Sequence, residues 1–307
     1  MTPKSKAPYS IGVVTYHAHF DEYLKPLITN LARIFPDREI ICVLNGHPEQ
    51  TLQIRYLDKA TEFLSQFPNV RYLAQATFQP LTRSWNQLII LSRTEKIAII
   101  SDDVFVGDLF REELDQCIDN HDTLFLLNRT WCHFVTTKTT VRKVGWFEER
   151  FPGIGWEDND YMFRMKMAGV PCPSEKVLGI LNLSTDNDNN PGWENPKGRE
   201  MKYTSANEDY FQSKWWAEKY DGEEISYTHD SSGPYGRFAL KPGMDTPLFY
   251  DLSVLDNDQK TSTSSYKTDK LRYLANKLFF VTLDSILTTL RRTKRFIKKI
   301  REAKAPV

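Results

Sequence analysis

Two spacings of apolar residues alternate along the first hundred positions. Short continuous apolar runs, rich in β-branched residues, mark buried strands, and recurrences every three or four positions mark amphipathic helices. "SIGVVTYH" is the first run. "DEYLKPLITNLARIF" follows at helical spacing, with Leu24, Leu27, Ile28, Leu31 and Ile34 on one face. "REIICVLNG" is a second strand, stopped by Asn45-Gly46, a turn-forming pair. The alternation continues with "QTLQIRYLDKATEFLSQF" as helix, "NVRYLAQ" as strand, "LTRSWNQLIILSRT" as helix and "KIAIISDD" as a fourth strand.

A β-α-β-α-β-α-β succession implies an α/β fold: a Rossmann-like, mostly parallel, doubly wound sheet with helices on both faces. Such sheets bind ligands at the carboxyl ends of their strands. Here those ends carry Thr15-Tyr16-His17, Asn45-Gly46 and Ser101-Asp102-Asp103. Neither G-x-G-x-x-G after the first strand nor a Walker A loop occurs, which argues against ordinary dinucleotide and P-loop sites.

The second half is less regular. Residues 122–156 alternate aromatic and polar positions and read as further strands with loops. "DNDYMFRMKMAGV" is a helix stopped at Ala168-Gly169, and "NEDYFQSKWWAEKY" is another helix. Between them, "STDNDNNPGWENPKGRE" has the composition of a long loop. From Asp221 to about Ser265 periodicity fades, as in an extended wrap, and the chain closes on a helical pattern. The expected division is 1–250 for the main domain, 251–266 for a linker and 267–307 for a C-terminal helical extension.

Charge sharpens this division. The chain carries 40 basic and 40 acidic residues, so a general affinity for nucleic acid is not indicated. The balance is uneven: from Tyr266 to Val307 there are twelve Lys/Arg and three Asp/Glu, a net of +9. The preceding 265 residues therefore carry −9. In the tail, Leu283, Ile286, Leu287, Leu290, Ile297 and Ile300 line one face, and basic residues cover much of the rest. A basic amphipathic helix suits an anionic membrane surface, though docking on the acidic body or on another subunit fits the same pattern, which leaves an oligomer open. No apolar run approaches the length of a membrane span. The four cysteines form no C-x-x-C pair, which fits reduced thiols. The expected location is cytoplasmic, peripheral on the inner face of the cell membrane.

Two acidic clusters are the candidate chemistry. Asp102 and Asp103 follow a buried-looking strand, and paired hard oxygens suit Mg²⁺ or Mn²⁺. A β-turn or a surface pair would look the same, while a cap for "LFREELDQCI" would more naturally come from Asp108. The second cluster is "GIGWEDNDYMFR", with Glu157, Asp158 and Asp160 at a helix start. Acids in a first turn favour the helix dipole, but that does not explain the Gly-x-Gly-Trp lead-in. Glycines let a backbone approach a ligand closely. A tryptophan beside a carboxylate can stack on a sugar ring while the acid takes its hydroxyl.

Together the clusters resemble the GT-A glycosyltransferases, in particular the large inverting (family-2-like) group that includes the β-1,4-galactosyltransferases and bacterial polysaccharide transferases. "ISDDVFV" resembles that group's DxD motif, and "GWEDNDYMFRM" its E-D-x-D motif with an Arg further on, here Arg164. "RSWNQLI" resembles the helix that turns an Asn, here Asn86, to the nucleotide. "NEDYFQSKWW" resembles the later Asn…Phe…Lys-Trp helix. The resemblance spans roughly residues 10–220. It implies a metal-dependent transfer of sugar from a nucleotide-sugar, expected to be a UDP-sugar, to a glycan or lipid-linked hydroxyl in cell-surface polysaccharide synthesis. It implies Asp103 as main metal ligand, with Asp102 on the ribose or the metal. Asp158 would be the general base and Glu157 its orienting partner, with Trp156 and Asp160 on the acceptor. Thr15, Tyr16, Asn45, Arg83 and Asn86 would hold the donor. The group's further metal-binding His has no counterpart in "VLGILNLSTDND", so His229 becomes the candidate, with Asp186 or Asp188 as alternatives. A retaining transferase, or a nonenzymatic nucleotide-sugar-binding protein, is the competing expectation.

Overall fold

A computed structural model describes residues 8–46, 50–152, 154–183, 206–219, 235–240 and Leu255. All of them belong to the first of two units, Met1–Asp256 and Asn257–Val307. The expected linker, except Leu255, and the basic tail lie outside the described residues.

The first half matches its sequence pattern closely. Strands β1 (Tyr9–Thr15), β2 (Ile40–Leu44), β3 (Val70–Ala74) and β4 (Lys96–Ser101) alternate with helices α1 (Lys25–Ile34), α2 (Gln50–Leu64) and α3 (Leu81–Leu91). The chain between β1 and α1 departs from the expected single helix. It forms a 3₁₀ turn at His17–His19 and then a π-helix at Phe20–Leu24. After β4 come β5 (Val104–Val106), α4 (Leu109–Asn120), β6 (Phe125–Leu127), β7 (Thr130–Thr137), α5 (Lys138–Val144), α6 (Glu157–Met167), β8 (Ser174–Glu175) and β9 (Ile180–Asn182). A helix at 206–214, α7, leads into β10 (Trp215–Lys219), which pairs with β11 (Tyr235–Leu240).

The main sheet has seven strands in the order β3-β2-β1-β4-β7-β6-β8. β1 pairs in parallel with β2 and β4, and β2 with β3, whereas β7 runs antiparallel to β4 and β6. The sheet is thus mixed and mostly parallel, as expected. Strand alternation sorts the core. Ile11, Val13, Ala98 and Ile100 face one hydrophobic cluster with α1 and α2, and Ile97 and Ile99 face a second with α3, α5 and α6. A smaller third cluster joins Phe151 and Phe163 to Phe211 and Trp215.

Three local readings needed correction. Lys138–Val144 is helical within the stretch read as strands and loops, and Thr137 caps it by accepting from the Thr140 amide at 2.9 Å. The "KWWAEKY" run leaves the helix at Trp215, where tryptophans prefer a strand pairing. Asp108 occupies the N-cap position of α4 but makes no capping bond: its backbone is already helical, with φ −62° and ψ −28°, and its carboxylate pairs with Arg33 at 2.7 Å. Among the described residues, no helix is long and apolar enough to cross a membrane. All four cysteines are free.

Candidate active site

The strand-end site begins with alternation. Asp102 continues the row of Ala98 and Ile100, so its carboxylate points to the α1 side of the sheet. There Oδ1 accepts a hydrogen bond from His19 Nδ1 at 2.8 Å, and both side chains are buried. Burial disfavours the charged imidazole, but the Asp102 bond and charge prevail and the His19 pKa is raised. The other oxygen, Oδ2, is buried without a hydrogen-bond partner. Thr15, one step beyond the pairing of Val14 with Ser101, also buries an unpartnered hydroxyl. The 3₁₀ and π-helical turns fold aromatic rings around this pair. Tyr16 lies 4.3 Å and Tyr23 4.8 Å from the His19 ring, centre to centre.

Asp103 is half-buried and accepts from the Ser101 hydroxyl. A second histidine holds the same turn. His133 on β7 accepts from the Ser101 amide through Nδ1 at 3.4 Å, so Nε2 carries the proton and meets Asn182 Oδ1 at 2.6 Å. Burial lowers the His133 pKa, in keeping with a neutral ring. The Leu183 amide reaches the Asp103 carbonyl at 2.8 Å.

The helix-start site is carried to the same edge of the sheet by residues 145–149. The Phe147 backbone accepts from and donates to the side-chain amide of Asn86 in mid-α3, and Glu149 lies 4.0 Å from Arg83 in the first turn of that helix. The segment therefore climbs toward the end of α3 that adjoins the carboxyl ends of the strands. α6 then runs back down, and Arg164 in its later turns binds the Val144 and Trp146 carbonyls. Trp156 enters α6 with φ at 71°, a left-handed conformation that is an outlier for a bulky residue. Such strain concentrates at functional sites and must be held by its surroundings. Here Asn207 donates to the carbonyls of Pro152, Ile154 and Gly155, and Phe211 packs 5.0 Å from the Trp156 ring.

The three acids separate by environment. Asp160 is fully buried and binds Arg164 Nε at 2.9 Å, Lys214 Nζ at 2.6 Å and Trp215 Nε1 at 2.9 Å. Burial alone would raise its pKa, but Arg164 and Lys214 pull it below the usual carboxylate value. Lys214 also reaches buried Glu148 at 3.1 Å, which chelates Arg150 and accepts from Tyr210. Burial first, and the Asp158 charge second, push the Glu157 pKa up to about 8, against weaker backbone bonds from its own amide and that of Gly155. Its Oε2 is buried and unpartnered. Asp158 is half-buried and accepts from the Asn159 amide at 2.8 Å; desolvation raises its pKa as well.

Several expected roles change. Asp160 has no surface for an acceptor and serves the interior. Asn86 spends both ends of its amide on Phe147 and Glu149, so it pins the climbing segment instead of facing a nucleotide. Asn45 is likewise consumed: it accepts from the Gly46 and Gln79 amides and donates to the Gln79 carbonyl. A Cβ on Gly46 would fall 2.0 Å from the Thr77 backbone, so that close packing requires glycine. Asp102 is engaged by His19. His229 lies outside the described residues. His19, His133, Glu148 and Lys214 are site residues that the sequence did not reveal as such, although "KWW" and "YHAHF" contain two of them.

Among the described residues, no group of three His, Cys, Asp or Glu side chains could hold a metal ion. Asp103, half-buried just past the carboxyl end of β4, fits the other mode of Mg²⁺ and Mn²⁺ binding, in which one or two carboxylates hold an ion that takes its remaining ligands from phosphate and water.

No protein-family model matches the chain, and no curated protein matches it in sequence. Solved structures of similar shape include TarS of S. aureus (residues 1–349). That match has 16% identity and a TM-score of 0.42, and covers 55% of this chain and 58% of that 1–349 chain. A glucosyl-3-phosphoglycerate synthase from Mycobacterium tuberculosis, with Mn²⁺, UDP and glucosyl-3-phosphoglycerate, matches at 10% identity and 0.42, covering 58% and 73%. The mannosyltransferase PcManGT from Pyrobaculum calidifontis, with GDP-Man and Mn²⁺, matches at 10% identity and 0.48, covering 68% and 66%.

Proposed function

We propose that this chain is a metal-dependent inverting glycosyltransferase that moves a sugar from a nucleotide-sugar to a glycan or glycolipid hydroxyl. One observation carries the reading. Two acidic sites stand at the same edge of an α/β sheet, and in one of them two adjacent carboxylates with raised pKa values adjoin a strained tryptophan. Paired titratable groups in divergent environments mark acid–base sites.

Glu157 is the protonated member at neutral pH, and the more exposed Asp158 is the base. The acceptor oxygen attacks the anomeric carbon as the bond to the diphosphate breaks, and Asp158 takes the acceptor's proton. Inversion follows from attack opposite the leaving group. Trp156 offers its ring as the acceptor platform. Thr15, Tyr16, Arg83 and Asp102 line the donor side, with Asp103 as the ligand of Mn²⁺ or Mg²⁺. The ion, bound with the diphosphate, would neutralise the leaving group. A UDP-sugar is the donor to try first, and cell-surface polysaccharide synthesis at the inner membrane face is the setting that the basic tail favours.

Calorimetry with UDP and GDP, with and without Mn²⁺, tests the donor site. Binding that the metal strengthens, and that loses this gain in Asp103→Ala, is expected; metal-independent binding of equal strength would reject the assignment.

A further inference from the structure

Two histidines lie within charge reach of Asp103, and each has a defined partner in the turn that carries it. His133 has no lone pair to give: Nδ1 receives the Ser101 amide and Nε2 donates to Asn182. His19 commits Nδ1 to Asp102. Each ring instead grips the turn Ser101-Asp102-Asp103. His19 holds it through the Asp102 side chain, from the irregular helix after β1. His133 holds it through the Ser101 backbone, from β7, and ties it to Asn182 on β9, where Leu183 also binds the Asp103 carbonyl. β4 ends here with only a short ribbon, β5 to β9, continuing beyond it. Without these grips the turn would keep the Leu183 amide on the Asp103 carbonyl and local bonds such as that between the Ser101 hydroxyl and Asp103, with nothing holding the Asp102 side chain.

We propose that His19 and His133 are positioning residues that clamp the Ser101–Asp103 turn from two sides and so aim Asp103 at the metal–diphosphate. The inference rests on the donor reading above. It assigns neither histidine to the metal. Outer groups that orient a metal ligand typically contribute about 10- to 100-fold in metal affinity, even where they never touch the ion.

The test uses the full chain with UDP, and GDP in parallel. Mn²⁺ affinity in the presence of nucleotide is read by electron paramagnetic resonance, and nucleotide affinity in EDTA by calorimetry. His19→Ala and His133→Phe are expected to weaken metal affinity by about tenfold or more, with nucleotide binding in EDTA changed less than about twofold. His19→Asn places an amide donor where Nδ1 stood and is expected to restore most of the loss. Unchanged metal affinity overturns the proposal. So does an equal loss with and without metal, which would mark a merely structural role, and so does failure of His19→Asn to recover. If the wild-type chain binds neither nucleotide with Mn²⁺, the donor reading itself fails and takes the clamp with it.

Discussion

At the end of β4 and at the start of α6 the chain presents the same local sequence feature, two adjacent carboxylates, with opposite results. In the bend just past β4 the two carboxylates take separate partners, Asp102 the buried His19 and Asp103 the Ser101 hydroxyl. A helix turns successive side chains by only about 100°. Glu157 and Asp158 therefore stay within reach of each other's charge, and the Asp158 charge is the second cause of the Glu157 shift. Backbone geometry thus decides whether a pair of acids divides its labour or shares a proton. Asp160 supplies the contrast within one helical turn: with Arg164, Lys214 and Trp215 around it, the same residue type becomes a fixed anion.

The largest effect should come from separating these fates at the base. Asp158→Asn keeps the shape and is expected to lower kcat by about 10² to 10⁴, the usual share of a general base, while metal-dependent UDP binding persists. The kcat profile of the wild type should fall as pH drops through a pKa above the ordinary carboxylate value, because the base must be ionised; that limb should be absent in the variant. Removing the anchor should strike stability instead. Lys214→Met leaves Asp160 and Glu148 short of a buried cation, and urea unfolding should register a loss of roughly 3–5 kcal/mol. If the loss is under about 1 kcal/mol, the buried network does not hold the two helices together. Asn207→Ala frees three carbonyls in the turn before Trp156. It should cost about 1–3 kcal/mol and raise KM for the acceptor more than for the donor.

The smallest effect is expected at Glu157. Its folded pKa of about 8 exceeds the ordinary glutamate value of 4.5, so between these values the unfolded chain has released a proton that the folded one still holds. Stability from this group is full below about pH 4.5 and declines as pH rises toward 8. Glu157→Gln should accordingly melt close to wild type at pH 5 and higher than wild type at pH 8. An identical pH dependence of Tm in both proteins would show that Glu157 ionises normally.

Much of this was legible in sequence. The alternation that predicts β1 to β4 is a local property, and tertiary packing did not override it. The strand-end and helix-start acids were visible for the same reason. What stayed hidden depends on partners far along the chain. Nothing near His19 announces Asp102, 83 residues away. Asn86 looked like a nucleotide contact because an Asn on a helix says nothing about which backbone it will meet, and Phe147 is 61 residues on. Asp160 counted as one acid among three until Lys214 and Trp215 set it apart. The π-helix at Phe20–Leu24 differs from an α-helix only in its hydrogen-bond step, which apolar spacing over five residues does not resolve.

The clamp of α7 on α6 also sets an order of events during synthesis. Asp160 and Trp215 are 55 residues apart. At about 5–20 residues per second, several seconds separate the making of the acidic turn from the arrival of the residues that neutralise Asp160 and hold the turn before Trp156. Throughout that interval the sheet can assemble from β1 to β4, while the edge that carries Glu157 and Asp158 waits for its cations. A ribosome stalled before Lys214 should therefore carry a folded sheet in which Asp160 still lacks Lys214 and Trp215.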